Sequence, residues 1–371
     1  MSALQKAIAI IASGACLAAL LLPFATRTGA PAGIVEFPLA AAFLVAGLLS
    51  IARFRVPVSL WLDGVLAFAG AVVLLVSLSV IGKAEAGFWF ALVAAWAFSW
   101  LLVERLSHAI GRGVVLNTLG LVIPLMFGAS ILVIWEAATR AGGVPPILLP
   151  APSLIWARIV SSLPTLWADF QQTFLKAVLA GYFIGCGAGF LVAIAIDRSP
   201  FLKRGLLPLG NFVSALPIVG VAPILVMWFG FDWPSKAAVV VVMTFFPMLV
   251  NTVAGLNAAG GMERDMMRTY AAGYWQTLFK LRLPAAAPFI FNALKINSTL
   301  ALIGAIVAEF FGTPIVGMGF RISTEVGRMN VDMVWAEIAV AALAGSLFYG
   351  VVVLIERAVT FWHPSVRGGR A

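Results

Sequence analysis

The stretch DMMRTYAAGYWQTLFKLRLPAAAP, residues 265–288, is the most polar long segment in the second half of a very apolar chain. Arg268, Lys280 and Arg282 sit among aromatic and small residues, the segment closes on Leu283-Pro284, and apolar runs flank it on both sides. The surrounding chain has 371 residues, 62% hydrophobic and only 11% charged, with a mean hydropathy of +1.06. A soluble domain cannot cover that much apolar surface with polar groups. Many windows of 18 or more residues are nearly free of charge, the length needed to cross a hydrocarbon core. The composition therefore predicts an all-α, polytopic membrane protein, and the quoted segment is a basic, aromatic loop between two of its spans.

Hydropathy places about ten spans, near 5–25, 34–52, 58–81, 86–104, 114–138, 174–196, 206–230, 237–257, 289–310 and 334–357. The first apolar run has a lysine near its head but is longer than a signal-peptide core, and another span follows at once, so it reads as a retained span. With the N-terminus in the cytoplasm, fifteen of the 24 Lys and Arg fall in loops on the inner side and seven on the outer, with Lys176 and Lys295 at or inside spans. The positive-inside rule then sets both termini and the 258–288 loop in the cytoplasm. The net charge of +9 follows from that topology and needs no nucleic-acid partner. The chain divides near residue 110. Residues 1–110 hold four short-looped spans rich in Ala, Leu and Val, an accessory membrane region. Residues 111–371 hold the longer loops, the proline-interrupted spans and most of the polar residues. No repeat relates the two parts, which argues against an inverted-repeat carrier.

Read physically, the loop offers Tyr274, Trp275, Leu278 and Phe279 as contact surface, and Ala271, Ala272 and Gly273 as small residues that let a backbone approach closely. Pro284 is expected to end the helix and reset the chain before the next span. An interfacial amphipathic helix on anionic lipid, with Lys280 and Arg282 near phosphates, is the alternative. The spacing resembles the cytoplasmic coupling loop of ABC-importer permeases, whose pattern is Glu-Ala-Ala, three residues, Gly, then a dozen residues to Leu-Pro. Aligned on Trp275, Gln276 and Leu283-Pro284, Asp265 takes the Glu position, Met266 and Met267 replace the two alanines, and Ala271 stands at the glycine. Over about residues 114–365, SALPIVGVAPILVMWFGF and TFFPMLVNTVAGL resemble the nitrate, sulfonate and taurine branch. IVAEFFGTPIVGMGFRISTEVGRMN and ERAVTFWHPSVRG are similar to permeases for riboflavin or thiamine-pyrimidine precursors.

The resemblance implies a type I importer core with four added N-terminal helices, in a bacterial inner membrane. It implies cytoplasmic ATPase subunits, an external substrate-binding protein, and a homodimer or paired permease. It implies a coupling role for Asp265, Arg268, Ala271, Ala272, Gly273, Trp275, Leu283 and Pro284, and no cofactor. The substrate it implies is riboflavin, a thiamine-pyrimidine precursor or a similar heterocycle, with sulfonate-, taurine- or nitrate-type anions as the alternative.

Polar residues within spans are the candidates for a translocation path: Thr244, Phe245, Asn251, Asn297, Ser298 and Glu309. Each has a plainer reading. Thr244 and Asn251 flank Pro247, where interhelical hydrogen bonding competes with a kinked pore. Lys295 can snorkel to the boundary, and Glu309 can be interfacial. Asp63 reads as half of a structural ion pair. Gly181, Gly185 and Gly189, four apart, form a packing face inside the permease or at a dimer seam. Cys16 and Cys186 lie in apolar runs and, with His108 and His363 isolated, make no metal spacing. No Gly-rich loop ends in Gly-Lys-Ser/Thr, and no nucleophile has a placed base. The chain is therefore expected to be non-catalytic, with energy supplied by a partner. A gradient-driven secondary transporter using Asp63 and Glu309, and a non-transporting scaffold, are the rival classes.

Overall fold

The structure, a computed structural model, describes residues 2–27, 30–54, 59–111, 120–214, 217–312 and 315–362. His363 and Val114 lie outside them. The architecture is all-α apart from one small sheet among the described residues. Packing divides the chain into two compact units, Met1–Ala157 and Arg158–Ala371.

The first unit begins with α1 (Ala3–Leu21). Its start is closed by a capping box in which Ser2 Oγ accepts from the Gln5 amide and Gln5 Oε1 from the Ser2 amide, both at 3.1 Å; two orphan helix donors are thereby satisfied. Then come β1 (Ala25–Arg27) and β2 (Ala30–Ala32), α2 (Pro38–Leu49), α3 (Leu60–Ser77), β3 (Lys83–Ala84), α4 (Ala86–Gly111) and α5 (Val122–Ala141). The strands pair antiparallel in the order β2-β1-β3. Lipid offers no hydrophobic drive between helices, so close packing of small residues must hold them. Accordingly, a Cβ on Gly47 would stand 2.7 Å from Cys16 Sγ, and one on Gly70 would stand 2.8 Å from the Ala95 Cβ. Cys16 is thus a packing residue in the interior. Asp63 is fully buried and pairs with Arg105 of α4, whereas Arg53 and Arg55 are its neighbours in sequence. Ala137 and Ala141 of α5 belong to the same apolar cluster as α1–α4. The packing division falls within α6 (Pro152–Ser161).

In the second unit, α7 (Leu163–Phe170), a π-helical segment (Gln171–Val178) and α8 (Leu179–Arg198) run on as a single 36-residue helix, Leu163–Arg198. After α9 (Pro200–Ser214) and α10 (Ile218–Phe229) comes α11 (Trp233–Leu256). Then follow α12 (Gly261–Thr269) and α13 (Tyr274–Thr277), with a π-helical segment (Leu278–Arg282) leading into α14 (Leu283–Glu309). The chain closes with α15 (Met318–Gly327) and α16 (Val331–Val359). Helix α11 is central, packed between α8 and α14. The glycine face of α8 meets it directly: added Cβ atoms on Gly181 and Gly189 would come within 2.5 Å of Val240 Cβ and Phe245 O. The four-residue glycine spacing is an internal seam of one chain.

Eight helices among the described residues are long and apolar enough to cross a membrane, and Pro38–Ala52 and Ile218–Phe229 are shorter apolar helices. The expected span 206–230 is two helices, because Pro217, extended at ψ 116°, starts α10 as its N-cap and a proline cannot continue the preceding turn. Pro284 is also a correction. It ends no helix; Tyr274–Glu309 is continuous over 36 residues. Pro284 lies inside that helix, directly after the π-helical segment Leu278–Arg282, an irregularity of the kind that accompanies a proline within a helix.

Candidate functional site

The basic loop has two faces. Helix α12 has no buried residue, and Met262, Met266, Tyr270, Trp275 and Phe279 are exposed, Tyr270 at 78% and Phe279 at 62%. Trp275 and Phe279, one turn apart, stack with centroids 6.0 Å apart. Leu278, on the opposite side, is fully buried among Leu256 and Ala286. Asp265 and Arg268 form only a loose surface pair at 3.5 Å, with side chains 72% and 83% exposed; such a pair contributes little to stability. Ala271 takes φ +53°, the left-handed region where an L side chain is costly and glycine is not. Gly273, by contrast, has φ −68° and open space around an added Cβ. Its N–H donates to Gln276 Oε1 at 3.1 Å. Leu283 and Pro284 are half-buried, and Ala272 likewise.

The inner face is tied down by groups that sequence reading left unassigned. Asp197, at the end of α8, accepts both guanidinium arms of Arg282, at 2.7 and 2.6 Å, and the Tyr274 hydroxyl at 3.0 Å. Arg282 Nε donates to Leu256 O at 2.9 Å. The Arg198 guanidinium lies 5.7 Å over the Tyr274 ring and 5.9 Å over Trp275. The one signal for this in the sequence was a charge at the end of an apolar run.

The proposed path residues are placed as follows. Asn297 is fully buried and donates to Thr244 O at 2.7 Å and to Cys186 Sγ at 3.2 Å. Thr244, also buried, donates to Val240 O at 2.9 Å; Ser298 donates to Lys295 O at 2.7 Å. Asn297 thereby joins α14 to α8 and α11. Phe245 and Asn251 are half-buried; Phe245 meets Phe246 edge-on at 4.8 Å, and Asn251 donates to Pro247 O at 2.8 Å. Lys295 bonds both oxygens of Glu356 on α16, at 3.0 and 2.9 Å.

Glu309 is buried, not interfacial, and belongs to a polar knot at the other end of the long helices. It accepts the Thr173 hydroxyl at 2.7 Å and the Gly319 N–H at 2.6 Å. Thr173 Oγ1 accepts the Met318 N–H, while Asp169 accepts the Gly317 N–H at 2.6 Å and Arg321 Nε at 2.8 Å. The Asp169 hydrogen bonds hold the Arg321 guanidinium above its ordinary value. Glu337 lies fully buried beside them, next to the Asp169 carboxyl and the Arg321 guanidinium. Lys236, in the first turn of α11, is buried and donates to Phe231 O at 2.6 Å and to Gly312 O. Next to it Asp232 is held below the usual carboxylate range by the Trp233 N–H and the Gln172 amide. Thr173 and Asp197 stand on one continuous helix, about 35 Å apart at 1.5 Å per residue, so knot and loop are separated by a full hydrocarbon core. Among the described residues no group of three or more His, Cys, Asp or Glu could hold a metal ion.

A family model described as binding-protein-dependent transport system inner membrane component matches residues 181–361, a segment that holds the glycine seam, the loop, and Glu309, Arg321 and Glu337 of the knot, with Asp169 and Thr173 lying before it. The riboflavin transport system permease protein of Chloroflexus aurantiacus is 30% identical over 249 residues, 67% of this chain and 91% of that protein. The chain belongs to this permease family. The formylaminopyrimidine transport permease protein of Halalkalibacterium halodurans is 30% identical over 240 residues, 65% of this chain and 95% of its own length. A putative aliphatic sulfonates transport permease protein of Bacillus subtilis is 29% identical over 246 residues, 66% and 88% of the two chains. The permease is therefore the non-catalytic, multi-pass transmembrane subunit of an ABC importer for a small solute, a family that functions with ATPase and substrate-binding partners.

Proposed function

We propose that this permease imports a small heterocycle, riboflavin or a thiamine-pyrimidine precursor, and that residues 265–284 dock a cytoplasmic ATPase. The observation that carries the substrate is the pair of relatives at 30% identity, both covered over more than nine-tenths of their length, whose names specify riboflavin and formylaminopyrimidine transport. Exposed Phe310 and Phe311 and half-buried Phe245 suit stacking on a planar ring. The route passes α11 at Thr244, Phe245 and Asn251 and α14 at Asn297, Ser298 and Glu309. Both termini and the loop face the cytoplasm, the permease acts as a homodimer or with a second permease, and residues 1–110 are an accessory region. The 29% identity to a sulfonates permease supports anion uptake as the second reading.

The substrate test is growth of riboflavin and thiamine auxotrophs on trace vitamin, with and without this chain and its partners. Rescue of either supports the proposal. Unchanged growth of both, together with uptake of a sulfonate or nitrate, moves the permease to the anion branch. The docking test is copurification of the ATPase with Ala271→Asp and Gly273→Asp variants. Both are expected to insert normally and lose the ATPase, and normal transport by either refutes docking here.

A further inference from the structure

We infer that Asp197, clamped by Arg282 and Tyr274, is the joint that transmits displacement of the docking loop into helices α8 and α11. This rests on the docking proposal and adds how the load leaves the loop. Three helices meet at one buried contact: the ends of α8 and α11 and the head of the continuous helix Tyr274–Glu309. Asp197 is the penultimate residue of α8; Leu256, which accepts Arg282 Nε at 2.9 Å, is the last of α11. Tyr274 opens α13 and Arg282 immediately precedes α14. Arg264 of α12 adds a bond to Asn257 O at 2.8 Å, just beyond α11. The ion pair is shielded, with side chains 13% and 9% exposed, whereas the Asp265–Arg268 pair on the outer face is in solvent.

That contrast assigns the two faces different tasks. Trp275 and Phe279 are free to be pushed. Behind them, a planar guanidinium held by two parallel N–H···O bonds resists both sliding and rotation, which a single point charge does not. Leu278 fills the space beside it. A push on the aromatic pair therefore moves the end of α8 with the loop, and the glycine seam, with no side chains to yield at Gly181, Gly185 and Gly189, passes that movement to α11. Asp197 is a positioning residue. It touches neither solute nor nucleotide.

The test reads motion at the far end, so it does not depend on knowing the solute. Val316→Cys, half-buried beside the polar knot, reports through labelling by a membrane-impermeant maleimide, and native Cys16 and Cys186 are buried. In the full chain reconstituted with its ATPase, trapping with ATP and vanadate is expected to change the labelling rate. Adding Asp197→Asn should leave the ATPase bound and hydrolysing but shrink that change about tenfold, within the range a single coupled contact carries. Arg282→Lys, which keeps the charge and loses the fork, should shrink it part-way. A structural role alone would lower the amount of assembled complex and leave the change per complex intact. The full change persisting in Asp197→Asn overturns the joint while leaving docking in place. Should Asp197→Asn fail to accumulate, Arg282→Lys decides, and a change equal to that of the parent overturns the inference. A parent that retains no ATPase, or shows no nucleotide-dependent change, overturns the docking proposal and this inference with it.

Discussion

Gly185 and Gly187 lie two residues apart on α8, yet alanine at the two positions should move stability in opposite directions. A Cβ on Gly185 would stand 2.9 Å from Val241 O and 3.0 Å from Val241 Cα, and closer still to Thr244 Oγ1. The threonine hydroxyl can rotate, but only by giving up its 2.9 Å bond to Val240 O, a loss of about 1 kcal/mol. The Val241 atoms are backbone of the central helix and cannot yield without separating α8 from α11, a strain of about 1–3 kcal/mol. Together these predict that Gly185→Ala destabilises the second unit by about 2–4 kcal/mol. Nothing lies within 4 Å of a Cβ on Gly187, so Gly187→Ala should gain up to about 1 kcal/mol from helix propensity. The assay is the thermal midpoint of the detergent-solubilised permease, read by fluorescence-detected size exclusion. A Gly185→Ala midpoint equal to or above that of Gly187→Ala would refute the internal-seam packing and return this face to a surface between chains.

Ala271→Gly relieves the left-handed backbone and should stabilise the loop by about 1 kcal/mol, seen as slower proteolysis of 261–277; faster cleavage would contradict the φ +53° conformation. Arg321→Ala strips buried Asp169 and Glu337 of their cation and should cost about 3–5 kcal/mol, whereas Arg328→Ala, 64% exposed on Glu325, should cost under about 1 kcal/mol; equal thermal midpoints would sink the buried knot. Thr173→Val removes a donor to Glu309 and an acceptor for Met318 N–H and should lower the midpoint by an amount matching about 1–3 kcal/mol, while Thr173→Ser should restore it. A chain starting at Val114 should still insert and copurify with the ATPase, and loss of the ATPase from a correctly inserted truncation would make residues 1–110 part of the core.

What was legible before any coordinates came from composition and local spacing. An excess of apolar residues dictates spans because unsatisfied backbone cannot cross lipid except as helix or closed barrel. The segment 265–284 stands out because its signal is contiguous: an acidic start, small residues and Leu-Pro within twenty positions. Tertiary structure decided what depends on residues distant in sequence. Asp197 reads as one more charge at a span end until Arg282, 85 positions on, closes the fork. Glu309 could be interfacial or pore-lining until Thr173, 136 positions away, takes one of its oxygens. The glycines of α8 declare close packing through their four-residue period, but a period names only one of two surfaces. Only the fold supplies the other, Val240, Thr244 and Phe245 of α11, because helix partners in lipid are chosen by shape over many turns and leave no local mark in the chain.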